Sequence, residues 1–244
     1  MPPRGPTGAS RAPRAEVSAV SWNVHRCVGL DGRQDAARVA GLLRQLDSDL
    51  IGLQELDVRF SPGNEVDQLA LLAEATGSQA LSLPTLRSPR GSYGNALLTR
   101  HPVLAVRELD LSLPGREPRA ALAARLDVRG RPLRVVVTHL GLSRGERAFQ
   151  ARRLVELLRE EAAPTLLLGD LNTWAPGEPA LRLLAACLGR APAPATFPSR
   201  FPLLALDRVW AARPLRVRSE VVRSPTARVA SDHLPIRAAV RLDG

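Results

Sequence analysis

Six short segments of this chain carry side chains able to bind a metal, move a proton or hold a phosphate. Val20-Ser21-Trp22-Asn23 closes on an amide and Ile51-Gly52-Leu53-Gln54-Glu55 on a carboxylate. Val135-Val136-Val137-Thr138-His139 closes on an imidazole, and Leu166-Leu167-Leu168 runs into Gly169-Asp170-Leu171-Asn172. Asp207 opens Asp207-Arg208-Val209-Trp210, and Ser231-Asp232-His233 stands just before the last apolar stretch. Singly, an Asp or Glu at a strand end is ordinarily a turn former or a helix cap. Repeated, they point elsewhere, because a sandwich gathers its solvated strand ends along one edge. Gathered in one cleft, they suit phosphoester hydrolysis. Glu55 and Asp232, aided by the Asn23 amide, offer oxygen ligands for a hard cation, Mg²⁺ or Mn²⁺. Unclustered Cys and only four His argue against zinc. The cation would polarise phosphoryl oxygens, and an Asp–His pair would hold or deprotonate the attacking water. His25, two positions past Asn23, is placed to share its face, whereas His101 beside Pro102 reads as a loop residue.

The elements that must position these groups are legible as periodicities. Val39, Leu42, Leu43 and Leu46 follow helical spacing, as do Val66, Leu69, Ala70 and Ala73. So do Ala151, Leu154, Val155 and Leu158, and Ala180, Leu183, Leu184 and Cys187. Gly77 and Gly189 are stop signals for the second and fourth helices. Strands are expected over 17–22, 50–54, 96–99, 120–128, 133–138, 165–168, 209–210, 217–222 and 236–240. Arg129-Gly130-Arg131-Pro132 reads as a hairpin connection. Many strands with few amphipathic helices imply two sheets face to face, helices covering their outer faces. Residues 1–15, rich in Pro and Arg, read as a disordered tail before one domain spanning 16–244, and Arg190 to Pro202 as a surface loop.

Composition constrains partners less than the net charge of +10 implies. Every basic residue is arginine, amid abundant Ala, Leu, Pro and Gly, so codon bias competes with selection for a polyanion partner. A basic surface still attracts phosphate-bearing molecules. Cys27 and Cys187 are too far apart for any CxxC motif, so two partly buried thiols are expected. No leader-like or membrane-spanning apolar run is evident, which leads to the expectation of a cytoplasmic monomer without stable membrane insertion.

In order, Ser21-Trp22-Asn23-Val24-His25, Leu53-Gln54-Glu55, Tyr93-Gly94-Asn95-Ala96-Leu97-Leu98-Thr99, Thr138-His139-Leu140, Gly169-Asp170-Leu171-Asn172 and Ser231-Asp232-His233-Leu234-Pro235 resemble the endonuclease/exonuclease/phosphatase superfamily. It includes pancreatic deoxyribonuclease, apurinic endonucleases, neutral sphingomyelinases and inositol polyphosphate 5-phosphatases. The resemblance runs from Val17 to Leu242. It implies an α/β, four-layer αββα sandwich of two mainly antiparallel sheets, and Mg²⁺-dependent hydrolysis by in-line water attack. By the same resemblance Glu55 is the main metal ligand, with Asn23 and Asp232 completing or supporting the site. Asp170 orients or activates water, Asn172 contacts metal or phosphate, and His233, held by Asp207, binds the scissile phosphate or transfers a proton. His139 stabilises phosphoryl oxygens or assists the leaving group, and Asn95 and Tyr93 contact phosphate. Arg119 is either a further phosphate contact or a solvated loop arginine. His25 departs from the apurinic endonucleases, which tend to carry Asp there, so a second carboxylate ligand is not implied. The implied substrate is a phosphodiester in nucleic acid, a lipid headgroup or a similar small molecule. Aromatics at 3% leave few stacking platforms, while the basic charge fits a polyanion. A silent arginine-rich module binding nucleic acid or anionic lipid is the alternative from another class.

Overall fold

Alternating apolar residues build two sheets in this computed structural model, which describes residues 16–58 and 66–242. The expected tail, 1–15, lies outside the described residues. The first half of the chain runs β1 (Glu16–Asn23), α1 (Ala36–Leu46), β2 (Leu50–Asp57), α2 (Gln68–Thr76), β3 (Gln79–Ser88), β4 (Gly91–Thr99) and β5 (Val103–Asp110). The second runs β6 (Ala120–Val128), β7 (Arg131–His139), α3 (Arg144–Glu160), β8 (Thr165–Asp170), α4 (Pro179–Leu188), β9 (Asp207–Ala211), β10 (Arg216–Val221), α5 (Pro225–Ala230) and β11 (Ile236–Arg241). One sheet has six strands in the order β10-β11-β1-β2-β4-β3, and the other five in the order β5-β6-β7-β8-β9.

Both sheets are mixed: β1–β2 and β7–β8 pair parallel, and all other neighbours antiparallel. Alternation sorts side chains into three apolar layers. Val17, Ala19, Leu50, Val135, Val137, Leu166 and Leu168 fill the space between the sheets. Val20, Trp22, Ile51 and Leu53 face α1, α2 and α5 on one outer surface. Val136, Leu167 and Trp210 face α3 and α4 on the other. The result is a four-layer αββα sandwich. Gly52 lies where the sheets approach: a Cβ there would stand 2.8 Å from the Leu168 Cβ. Among the described residues no helix is long and apolar enough to cross a membrane.

Three expectations need correction. The second helical stripe is displaced: α2 buries Gln68, Leu72 and Thr76, while Val66 lies before the helix and is exposed. Asp67 is the cause, since its side chain accepts from the Ala70 amide and starts the helix one residue later. β3 and β5 were not anticipated. Both are edge strands, so β5 is exposed along most of its length and β3 tolerates Pro84. Arg190 to Pro202 is not simply a surface loop, since Thr196 and Ser199 are fully buried.

Candidate active site

The candidate site forms where two βαβ units end side by side. In β1-α1-β2 the parallel register sets Asn23 beside Gln54, and in β7-α3-β8 it sets His139 beside Asp170. Both pairs lie at the C-terminal strand ends, where α/β sheets commonly bind ligands. Glu55 gets its direction from a bulge: the pairing of β2 with β4 slips between Leu53 and Leu56, and Glu55 takes φ +57°. That left-handed backbone costs about 1–2 kcal/mol for a residue with a Cβ. In return the carboxylate leaves the pleat and points to Asn23, whose Nδ2 donates to Glu55 Oε1 at 2.9 Å. Asn172 also adopts positive φ, +51°, and its backbone N–H donates to Asp170 Oδ1 at 2.9 Å.

Asp170 is the meeting point. Its Oδ2 accepts from Asn23 Nδ2 at 3.0 Å and lies 3.5 Å from His139 Nε2 and 3.7 Å from His233 Nε2. The site therefore draws on both sheets. Asp170 is only 1% exposed and His233 5%, so these strand ends are buried, not solvated as their chemistry alone implied. The Asp232 carboxylate, half-buried, is not in this bonded network: Oδ1 accepts from Ser231 Oγ at 3.3 Å and stands 3.8 Å from His25 Nδ1. His25 is tied to the site by its backbone amide, which donates to Asn23 Oδ1 at 3.0 Å.

The two histidines flanking Asp170 have opposite electrostatics. Burial alone would lower the pKa of His233, but Asp207 outweighs it by charge and by accepting from Nδ1 at 2.9 Å, with Asp170 and Asp232 adding to it. The result is a pKa pushed up to about 10, an imidazolium at neutral pH. His139 goes the other way, down to about 3: burial dominates over the opposing pull of Asp170, and Arg119 and His233 reinforce it. Donors also face both its nitrogens, Arg119 Nη1 at 3.4 Å from Nδ1 and Asn172 Nδ2 at 3.0 Å from Nε2. A doubly protonated ring would meet a donor on each side.

Arg119 proves to be buried, its guanidinium bound to both Glu117 carboxylate oxygens at 3.1 Å. Burial and the nearby Glu55 and Glu117 push the Tyr93 phenol well above its ordinary pKa, with a hydrogen bond to Glu55 contributing. Asn95 is buried, and its Nδ2 donates to Ala120 O at 3.4 Å across the sheets. Sequence reasoning missed the supports of His233. Thr196 Oγ1 donates to Asp207 Oδ2 at 2.5 Å, the Phe197 ring packs 4.9 Å from the His233 ring, and Trp22 Nε1 donates to His233 O at 2.9 Å. Thr196 and Phe197 lie in a Pro- and Ala-rich stretch with no periodicity or motif to mark them. Trp22 stands in the Ser21-Trp22-Asn23 motif, with nothing there to mark a bond to His233.

Asp170, Asp207 and His233 each offer a ligand atom within 4.8 Å of the others, so they can form a metal-binding cluster. Asp207 Oδ2 already accepts two hydrogen bonds there, whereas Glu55 is the less buried carboxylate.

This fold and edge-on site define a class that comparison with known proteins identifies. Residues 20–233 match the model of the Endonuclease/Exonuclease/phosphatase family. The chain belongs to that family, whose members are hydrolases acting on phosphoesters. The uncharacterized protein YbhP of Escherichia coli K12 is 34% identical over 173 residues, 63% of this chain and 65% of YbhP. The match thus spans just under two thirds of that relative. An endonuclease/exonuclease/phosphatase from Beutenbergia cavernae superposes with a TM-score of 0.76 at 26% identity, covering 95% of this chain and 72% of that one. The human Nocturnin catalytic domain, solved with a bound sulfate anion, shares the fold with a TM-score of 0.74 at 21% identity and 93% coverage of each chain.

Proposed function

We propose that this protein is a Mg²⁺-dependent (or Mn²⁺-dependent) phosphoesterase that hydrolyses a phosphodiester by in-line attack of water. The observation that carries this reading is Asp170, a buried carboxylate within 3.7 Å of two differently charged imidazoles and an amide. The donor set fits a hard cation, because Glu55 and Asp232 are oxygen donors and both are less buried than Asp170. Glu55 and Asp232 would hold the ion, and Asn23, its Oδ1 engaged by the His25 amide, would orient Glu55 and Asp170 through Nδ2. The ion would supply Lewis-acid polarisation of the phosphoryl oxygens.

The chain's own groups account for the remaining chemistry. Asp170 accepts the proton of the attacking water or orients it toward phosphorus. Asn172, its backbone N–H donating to Asp170, fixes the carboxylate in place. His233, held as an imidazolium by Asp207, donates Nε2–H to the phosphoryl group as negative charge develops. His139, neutral, stabilises a phosphoryl oxygen or assists departure of the leaving group. Tyr93 and Arg119 adjoin this site through Glu55 and His139, and are the further candidates for phosphate contact.

The test is a panel of bis-p-nitrophenyl phosphate, p-nitrophenyl phosphate, plasmid DNA, abasic-site DNA, RNA and phospholipid vesicles, each with Mg²⁺ and with EDTA. Diester hydrolysis that requires Mg²⁺ is expected, and the panel separates nucleic acid from lipid or small-molecule substrates. Equal hydrolysis in EDTA would sink the proposal.

A further inference from the structure

Among the described residues, ten large apolar side chains are exposed, and six flank the site: Leu30, Leu142, Trp174, Phe201, Leu203 and Val229. The other four lie elsewhere, Val66 before α2, Leu86 on β3, and Leu104 and Val106 on β5. Five sit in loops or turns and Val229 on the short helix α5, several of them close in sequence to site residues. Leu142 follows His139 by three positions, Trp174 follows Asn172 by two, and Val229 precedes Asp232 by three.

Contacts join these loops into one rim. Arg147 Nη1 donates to Leu142 O at 2.5 Å, and the Arg147 guanidinium lies 4.8 Å over the Trp174 ring. Trp174 and Leu203 wall the same cavity of about 690 Å³, which also reaches Arg208 beside Asp207. Leu203 N donates to Phe197 O at 2.9 Å, placing the tip of that loop beside the ring that packs on His233. Arg228 Nη1 donates to Arg200 O at 3.0 Å, and Leu30 N to Val229 O at 2.9 Å, which extends the series of contacts to Leu30. Leu203 is 80% and Phe201 69% exposed, so neither contributes much to the core.

The rim is also basic. Arg26 and Arg200 are exposed in these segments, as are Arg144 at the start of α3 and Arg182 in α4. Two acids nearby are already matched, Asp31 by Arg38 at 2.7 Å and Glu178 by Arg147 at 2.7 Å. Aliphatic tips with a Trp and a Phe, set among arginines, match the chemistry of a charged interface over hydrocarbon. Four of the six tips are aliphatic and have no π face on which a base could stack.

We propose that this rim docks the active-site face on an anionic lipid bilayer, apolar tips entering the headgroup boundary and arginines meeting lipid phosphates. Docking is a binding property and does not depend on the proposed hydrolysis. The full-length protein is sedimented with vesicles of phosphatidylcholine alone or mixed with phosphatidylglycerol, in EDTA so that no turnover is needed. Wild type is expected on the mixed vesicles, with little on phosphatidylcholine, and to be released by salt. Phe201→Ser with Leu203→Ser should weaken binding by about tenfold or more, while Mg²⁺-dependent turnover of soluble bis-p-nitrophenyl phosphate stays at the wild-type level. Arg182→Gln with Arg200→Gln should abolish the preference for phosphatidylglycerol. Undiminished vesicle binding by the Phe201/Leu203 variant, or no binding by wild type, would overturn the proposal. So would oligonucleotide binding or self-association lost in that variant, which would assign the rim to nucleic acid or to a second copy of the chain.

Discussion

The two βαβ units have the same topology and end at the same edge, yet they present different chemistry. β1-α1-β2 ends in Asn23 and Glu55, with Glu55 turned out by a bulge and only partly buried. β7-α3-β8 ends in His139 and Asp170, which are 4% and 1% exposed. The first end is oxygen-rich and accessible, as cation binding requires. The second is dry, which strengthens its electrostatics and separates the states of the histidines on either side of Asp170. Their supports differ likewise. α3 is anchored by a buried, two-point Arg147–Glu178 pair at 2.9 and 2.7 Å, whereas α1 carries the surface pair Arg38–Asp31. Under the proposed mechanism, one fold element used twice would separate holding a cation from handling a proton.

The comparison can be broken most sharply at Asp170. Asp170→Asn keeps the side-chain volume and should lower kcat by about 10²–10⁴, leaving the Mg²⁺ midpoint nearly unchanged; steady-state kinetics over a Mg²⁺ series checks both. Next come the anchors. Glu178→Ala leaves Arg147 buried and unpaired, so urea denaturation should show a loss of about 3–5 kcal/mol. Asp31→Ala, at the matching anchor of α1, should produce a far smaller change.

A pH dependence probes the same proton-handling end. Folded His233 holds its proton up to about pH 10, against an ordinary value of 6.5. Its stabilising pairing with Asp207 is therefore complete below that ordinary value and is lost as pH rises through about 10. In EDTA, wild type should lose stability as pH rises from 6.5 to about 10, and Asp207→Asn should flatten that slope. Parallel slopes in the two proteins would remove Asp207 as the cause.

Much of this was legible in the sequence because strand ends carry type and position together. Glu55, His139, Asp170, Asn172 and His233 follow apolar runs or stand just before one, so a two-residue period was enough to bring them to one edge. The stripes of α1 and α3 were equally readable, every member of each being buried. What could not be read depends on contacts remote in sequence. Thr196 and Phe197 reach Asp207 and His233 from a segment without periodicity, and the charge states of the two histidines follow from burial and neighbours brought in by folding. The bulge at Glu55 was not anticipated, although the adjacent polar pair in Leu53-Gln54-Glu55-Leu56 breaks the two-residue period where the register slips.

The central claim is that the accessible end of this paired arrangement binds the cation on which hydrolysis depends. Its most direct test is hydrolysis of bis-p-nitrophenyl phosphate by EDTA-stripped protein as Mg²⁺ is restored, with wild type and Glu55→Gln side by side. The account predicts no turnover without metal, saturable recovery in wild type, and a curve moved to about 10–100-fold higher Mg²⁺ in Glu55→Gln. Superimposable curves, or full activity before any Mg²⁺ is added, would contradict it.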